Sequence, residues 1–218
     1  LLPTLSRIEE GEIIFNKDNN LELSDEILKR TNTPLFALLY RLVFVLYAES
    51  REIFDTNNKK YFDDFSLKKI VHNLMITYRK NPKSIKLKKY ELWNRLQNLF
   101  SLVENGSKYL QIDENELHMP AYNGSLFNSE KYPDLRRWKL SNEALLDALH
   151  SLTRIQDKEN NYSFVNYASI EIRHIGTIYE KLLDFHPETR GKSIEIFTHE
   201  GKRESEGTYY TPKFIVDN

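Results

Sequence analysis

Apolar and polar positions divide the chain into helices separated by short polar breaks. The longest apolar stretch runs from Leu35 to Ala48 and is interrupted only by Arg41. Thr33 has N-cap chemistry and Pro34 suits the first helical position, so the spacing predicts a helix from there to about Phe54. A shorter helix, capped by Ser24, precedes it through Arg30. Asp55 to Phe65 reads as a polar loop. Ser66 then caps a helix whose apolar residues, Leu67, Ile70, Val71, Leu74, Met75 and Tyr78, follow the spacing of one buried stripe. Asn81-Pro82 breaks that pattern. The next helix begins near Ser84, carries Trp93, Leu96, Leu99, Phe100 and Val103, and ends at Asn105-Gly106. Gly106 suits the left-handed position that follows a helix C-terminus.

Periodicity is lost from Ser107 to Leu140, a stretch that holds the turn pair Asn123-Gly124. Ser141 or Asn142 opens a helix to about Ile155, and a polar loop follows at Asp157 to Asn161. An extended piece from Phe164 to Tyr167 leads to Ser169 and a helix with the stripe Ile172, Ile175, Ile178, Tyr179, Leu182 and Leu183. Ser193 to Thr198 alternates like a strand, and His199 to Lys202 can turn it back toward Gly207 to Tyr210. The first twenty residues are mixed and turn-prone, with a loop at Asn16 to Asn20. The class is mainly α: a multi-helix, bundle-like domain with a small β-hairpin near the C-terminus. Residues 1–32 read as an irregular segment with a short helix, 33–190 as the helical domain, and 191–218 as a β appendage that starts something new.

Composition narrows the chemistry. The 218 residues include no cysteine, which excludes thiol catalysis, zinc ribbons and disulfide frameworks. Only seven glycines are present, in keeping with long helices. Lys and Arg number 31 against 32 Asp and Glu, so the net charge is −1 and the surface as a whole is no polyanion magnet. The Leu35–Ala48 run is shorter than the ~20 apolar residues of a membrane span, and no signal-peptide layout opens the chain. A cytoplasmic protein without a membrane partner is expected. The chain opens Leu1-Leu2-Pro3 and closes a few residues into a new helix, as a piece of a longer polypeptide would.

Candidate chemistry is sparse. The six histidines show neither an i, i+4 pair nor clustered carboxylates, and they read as surface or hydrogen-bonded residues. Pro133-Asp134 and Glu200-Gly201-Lys202 spell a scattered nuclease pattern, but no strand pattern surrounds Asp134, and the match reads as chance. Arg79 to Lys89 holds six cations and no acid. Lys83, Lys86, Lys88 and Lys89 in it either neutralise DNA phosphates or form a solvated helix start. At Gly207 to Val216 an extended stretch leads to Thr211 as N-cap and Pro212 in the first helical turn. Such a helix start is either an ordinary capped terminus or a contact for a carboxylate or phosphate.

Four blocks carry a resemblance. Gly207-Thr208-Tyr209-Tyr210-Thr211-Pro212-Lys213-Phe214-Ile215-Val216 resembles the G-x-Y-Y-T-P-x-x-I-V stretch at the entrance of N6-adenine DNA methyltransferase domains in single-chain type IIG restriction–modification enzymes. Leu39 to Glu49 is similar to the first long buried helix of those proteins. Met119 to Phe127 is similar to their LPAYNGGLF loop, with Met119 for Leu and Ser125 for the second Gly, and Ile175 to Leu183 to their LGSIYEGLL helix. The resemblance implies a helical connector between a nuclease and a methyltransferase domain of the same chain, facing double-stranded DNA. It implies that Tyr210, Thr211 and Pro212 border the methionine end of S-adenosylmethionine in the parent protein. The Asn/Asp-Pro-Pro-Tyr/Phe motif that would hold a flipped adenine is absent, as is the glycine-rich cofactor loop. No catalytic residue and no metal ligand are therefore assigned, and this stretch alone is expected to be inactive and to bind no cofactor. A different reading is a non-catalytic DNA-binding or interaction module of a phage-defence methyltransferase that lacks a nuclease.

Overall fold

The apolar run from Leu35 to Ala48 forms the inner turns of α1 (Asp25–Ser50), the helix around which the other elements pack. The computed structural model describes residues 5–9, 12–15, 25–80, 90–122, 124–137, 139–156, 162–183, 185–190 and 193–198, and these are mainly helical. Two expectations for this region are corrected. No helix starts at Thr33: α1 is continuous from Asp25, and Pro34 lies inside it. Pro34 has no N–H to donate to the preceding turn, a loss of roughly 3 kcal/mol in a helix interior. It is buried, as are Ala37, Leu38, Leu42, Val45 and Leu46 beyond it. Burial of that face outweighs the local preference for a break.

The far end of α1 stops four residues before Phe54. Arg51 N–H bonds to Tyr47 O, Ile53 N–H reaches back to Ala48 O at 2.9 Å, and Glu52 takes a left-handed φ of 57°. This is the Schellman ending, made here with a non-glycine residue in the position that glycine usually takes.

The polar segment after α1 also differs from its expected loop. Its middle forms α2 (Lys59–Asp64), capped by Asn58, whose side-chain oxygen accepts from Tyr61 N–H at 3.0 Å. The pattern hides this helix because its one core residue, Tyr61 at 1% exposure, stands among charged neighbours. Ser66 caps α3 (Leu67–Lys80) as expected, accepting from Lys69 N–H, and Leu67, Ile70 and Val71 are buried.

The joint between α1, α2 and α3 is a buried carboxylate. Glu49, in the last turn of α1, is 3% exposed. Its oxygens accept from Leu67 N–H at 2.6 Å and Lys68 N–H at 3.1 Å, two of the donors that every helix leaves unpaired at its N-terminus. Tyr61 Oη–H donates to it at 3.0 Å and Ser66 Oγ–H at 3.4 Å. Burial pushes the Glu49 carboxyl above its ordinary value of 4.5, while the bonds from Leu67, Lys68 and Tyr61 push it back down. The same carboxylate and its own burial drive the Tyr61 hydroxyl far up, so Tyr61 stays a donor.

The core continues through α4 (Glu91–Tyr109), which buries Leu92, Trp93, Leu96, Leu99, Phe100, Leu102 and Val103. The short α5 (Pro133–Arg137) and then α6 (Asn142–Thr153) complete it. Ser141 caps α6 by accepting from Ala144 N–H, as its sequence predicts. Asn142 adds a link that the sequence does not announce: its side-chain oxygen accepts from Leu92 N–H at 2.9 Å and caps α4 from another helix. Beyond α6 the chain turns extended two residues early, because Arg154–Gln156 pairs antiparallel with Tyr162–Phe164. A 3-10 turn (Tyr167–Ser169) precedes α7 (Ile172–Leu183).

Strands appear at both ends. Leu5–Glu9 and Glu12–Phe15, in the segment that reads as turn-prone, pair antiparallel, and the second strand takes Lys139–Leu140 as a parallel neighbour. Ser193–Thr198 is a strand as expected and pairs antiparallel with Phe185–Arg190. Its expected partner, Gly207 to Tyr210, lies outside the described residues. Thr33–Ser50 meets the length and apolarity of a membrane span, and 61% of that window is buried within this fold.

Replacing Glu49 with Gln removes one acceptor from a buried set of donors and is expected to cost about 1–3 kcal/mol in urea unfolding. The pH dependence has a definite sign. Because burial raises the folded-state pKa above the unfolded one, the folded state takes up the proton first as the pH falls. The advantage of the wild type over Glu49→Gln should therefore grow as the pH is lowered through that raised value toward 4.5. An advantage that shrinks would mean that the hydrogen bonds outweigh burial.

Candidate functional site: the loop 110–132

A segment of this length without regular structure is uncommon in a compact domain and is usually functional or disordered. Here it is anchored at several points. Gly106 supplies the first anchor. Its φ of 79° and ψ of 170° bend α4 before one more turn to Tyr109. The positive φ agrees with expectation, but the ψ is extended rather than left-handed helical, a region open essentially only to glycine. A Cβ at Gly106 would stand 2.8 Å from Met119 O and 2.9 Å from Ala121 N, so the loop backbone lies directly on the glycine. Ser107 N–H donates to Met119 O at 2.9 Å, Met119 N–H to Ser107 Oγ at 3.0 Å, and Tyr122 N–H to Val103 O at 2.9 Å.

Arg41 supplies the second anchor, from α1. Its Nε–H donates to Leu126 O at 2.9 Å, and the guanidinium carbon lies 5.4 Å from the Phe100 ring centroid and 5.5 Å from those of Phe127 and Tyr132. The side chain is 3% exposed, and its Nη2 has no hydrogen-bond partner. Burial lowers its pKa to about 10, with Glu104 and Tyr132 opposing and Arg136 adding to the shift. Arg41 is still charged at neutral pH. Phe127 completes the cage, 5.3 Å from Phe44 and 5.9 Å from Phe100. Glu104 then fixes the next turn by accepting from Ser129 N–H at 2.8 Å and Ser129 Oγ–H at 2.9 Å.

With its apolar side chains Leu117, Met119 and Phe127 turned inward, the loop shows solvent a rim of Pro120, Ala121, Gly124 and Ser125. Around the expected turn pair, Gly124 N–H bonds to Tyr122 O at 2.6 Å and Phe127 N–H to Gly124 O at 3.2 Å; Asn123 itself lies outside the described residues. Among the described residues no group of three or more His, Asp and Glu is placed to hold a metal ion.

The residues singled out from the sequence fall elsewhere. Lys83, Lys86, Lys88 and Lys89 lie outside the described residues, as do Tyr210, Thr211 and Pro212, and so do Glu200 and Lys202. Asp134 sits in the first turn of α5, on a helix rather than a strand. Arg41, Glu104 and Ser107 are the loop anchors that pattern reading misses. For Arg41 the signal was present, as the lone charge in an otherwise apolar run. Comparison of the chain with protein-family models, curated proteins and solved structures finds no match.

Two substitutions separate the anchors. Gly106→Ala combines backbone strain with a clash against main-chain atoms and is expected to cost about 2–5 kcal/mol by urea denaturation. Arg41→Met keeps an unbranched stem in the ring cage and removes a buried charge with an unpaired donor. Its stability is expected to stay within about 1–2 kcal/mol of the wild type. A loss for Arg41→Met as large as that for Gly106→Ala would show that the charge itself holds the loop.

Proposed function

We propose that the chain is the helical connector of a type IIG-like restriction–modification protein, leading into a methyltransferase domain that transfers a methyl group from S-adenosylmethionine to adenine N6 in DNA. The observation that carries this reading is the order and mutual packing of the resembling blocks. The block Leu39 to Glu49 provides Arg41 and Phe44, and the block Met119 to Phe127 provides the Leu126 carbonyl and the Phe127 ring that they touch. Two segments eighty residues apart that form one packed unit are expected to occur together, whereas two chance matches have no reason to meet. The third block, Ile175 to Leu183, falls within α7.

On this reading the connector holds flanking domains at a fixed spacing and presents the loop rim toward DNA or toward a neighbouring domain. Tyr210, Thr211 and Pro212 would meet the methionine carboxylate with the unpaired N–H groups of a helix start. Double-stranded DNA is the macromolecular partner, and the methyl-transfer chemistry belongs to residues downstream.

The test uses the polypeptide encoded by the whole reading frame. It should transfer tritiated methyl groups from S-adenosylmethionine to adenine in duplex DNA, and Tyr210→Ala should raise KM for the cofactor about tenfold while DNA affinity stays unchanged. A reading frame without a glycine-rich loop followed by Asn-Pro-Pro-Tyr, or a protein inert on all duplex DNA, overturns the proposal.

A further inference from the structure

We infer that residues 124–132 form a flap over Arg41 that Glu104 holds closed by its charge, and that this flap opens on its own when Glu104 is neutralised. Opening is confined to this half of the loop because both of its ends are fixed to α4 by neutral contacts. Before the flap, Tyr122 N–H donates to Val103 O at 2.9 Å, and Met119 bonds to Ser107 through main chain and a hydroxyl. After it, Leu135 is buried and its carbonyl accepts from Gln97 Nε2 at 3.1 Å. No ionised group takes part in these bonds.

Between those ends the contacts centre on charge. Arg41 meets three groups of the flap: Leu126 O, which accepts from its Nε–H, and the Phe127 and Tyr132 rings, each 5.5 Å from the guanidinium carbon. Glu104 Oε1 accepts from Ser129 N–H and Oγ–H, and Arg136 of α5 donates to the same Ser129 hydroxyl oxygen. Glu130 and Lys131 are exposed, with Lys131 Nζ 5.7 Å from the Tyr132 ring. Asn128 Oδ1 accepts from the N–H groups of both, so the turn inside the flap can move as one piece.

The two charges depend on each other unequally. Arg41 is 3% exposed and its Nη2 has no partner, so neither water nor a full set of acceptors compensates it. Of the charges around it, Glu104 opposes the cost of its burial and Arg136 adds to that cost. Glu104 itself is half-buried and holds two bonds from Ser129, so it loses little if Arg41 is removed. Arg41 loses much more if Glu104 is neutralised, because a buried charge is then left uncompensated. The guanidinium can then reach water only by displacing the flap that encloses it. That movement lifts Phe127 off Phe44 and Phe100 and uncovers a cation framed by aromatic rings.

Hydrogen exchange read by mass spectrometry on the full-length chain follows the two halves of the loop separately. Glu104→Gln keeps an oxygen for Ser129 N–H and removes only the charge. Amides of residues 124–132 are expected to exchange about tenfold faster in this variant than in the wild type, while those of residues 117–122 change by less than about twofold. Adding Arg41→Met removes the charge that needs compensation. The double variant is expected to exchange within about twofold of Arg41→Met alone. Wild-type exchange in Glu104→Gln overturns the inference, and so does equal acceleration of both halves, which would make the loop a single unit. Fast exchange that persists in the double variant also overturns it, because Glu104 would then act otherwise than through Arg41. If Glu104→Gln fails to melt cooperatively, Arg41→Met is compared directly with the double variant. Equal exchange at residues 124–132 is expected there, and exchange about tenfold faster in the double variant overturns the inference. None of these readouts needs DNA or S-adenosylmethionine, so their failure is distinct from failure of the proposed function.

Discussion

Four donors from two helices and their connection converge on the carboxylate of Glu49, and the arrangement of the first half of the chain follows from that convergence. A buried carboxylate is expensive unless its lone pairs are filled. Filling them requires that α3 begin at Leu67, that Tyr61 be delivered by α2, and that α1 still be helical at residue 49. The Schellman ending then reverses the chain within a few residues. Glu52 accepts a left-handed φ, unfavourable for a residue with a side chain, because the turn must bring α2 back beneath α1. One polar contact thereby fixes the relative placement of three helices that apolar packing alone would leave free to slide.

The second half is organised by close backbone contact, with the charged side chains of Arg41 and Glu104 as further anchors. At Gly106 the loop 110–132 comes so close to α4 that no side chain fits between them. The bonds at Ser107, Tyr122 and Ser129 follow from that approach, and Phe127 fills the space between α1 and α4. A segment with no periodic structure is thus tied to the helices at several points. Its rim is mostly backbone and small side chains, whereas the exposed side of α3 carries His72, Asn73, Ile76, Thr77 and Lys80.

Much of the helical framework was legible in the sequence, because α3, α4 and α6 each carry a clean apolar stripe and α3 and α6 begin at serine caps that the structure uses. The failures have separate physical causes. Pro34 looked like a helix start because local propensity favours one, yet burial of the surrounding face overrides it. α2 was invisible because a single tyrosine makes its contact with the core. The strands near the N-terminus pair locally with each other, and only their parallel neighbour, Lys139–Leu140, is one that no local pattern connects to them. Of the loop site, the turn glycine and the break at Gly106 could be read, but the partners could not. Arg41 and Leu126 are related only through the fold, and the cap that Asn142 places on α4 is equally non-local.

Arg41 has a meaning in time as well as in space. Its partner carbonyl at Leu126 lies 85 residues downstream. At translation rates of about 5–20 residues per second, α1 waits some 4–17 seconds on the ribosome before the loop can cover it. During that interval the helix presents a window apolar enough for a membrane. An arginine at the middle of such a window raises the cost of lipid insertion by roughly 2.5–3.5 kcal/mol. The charge that sits uncomfortably in the finished core is thus the same charge that makes this window costly to place in lipid.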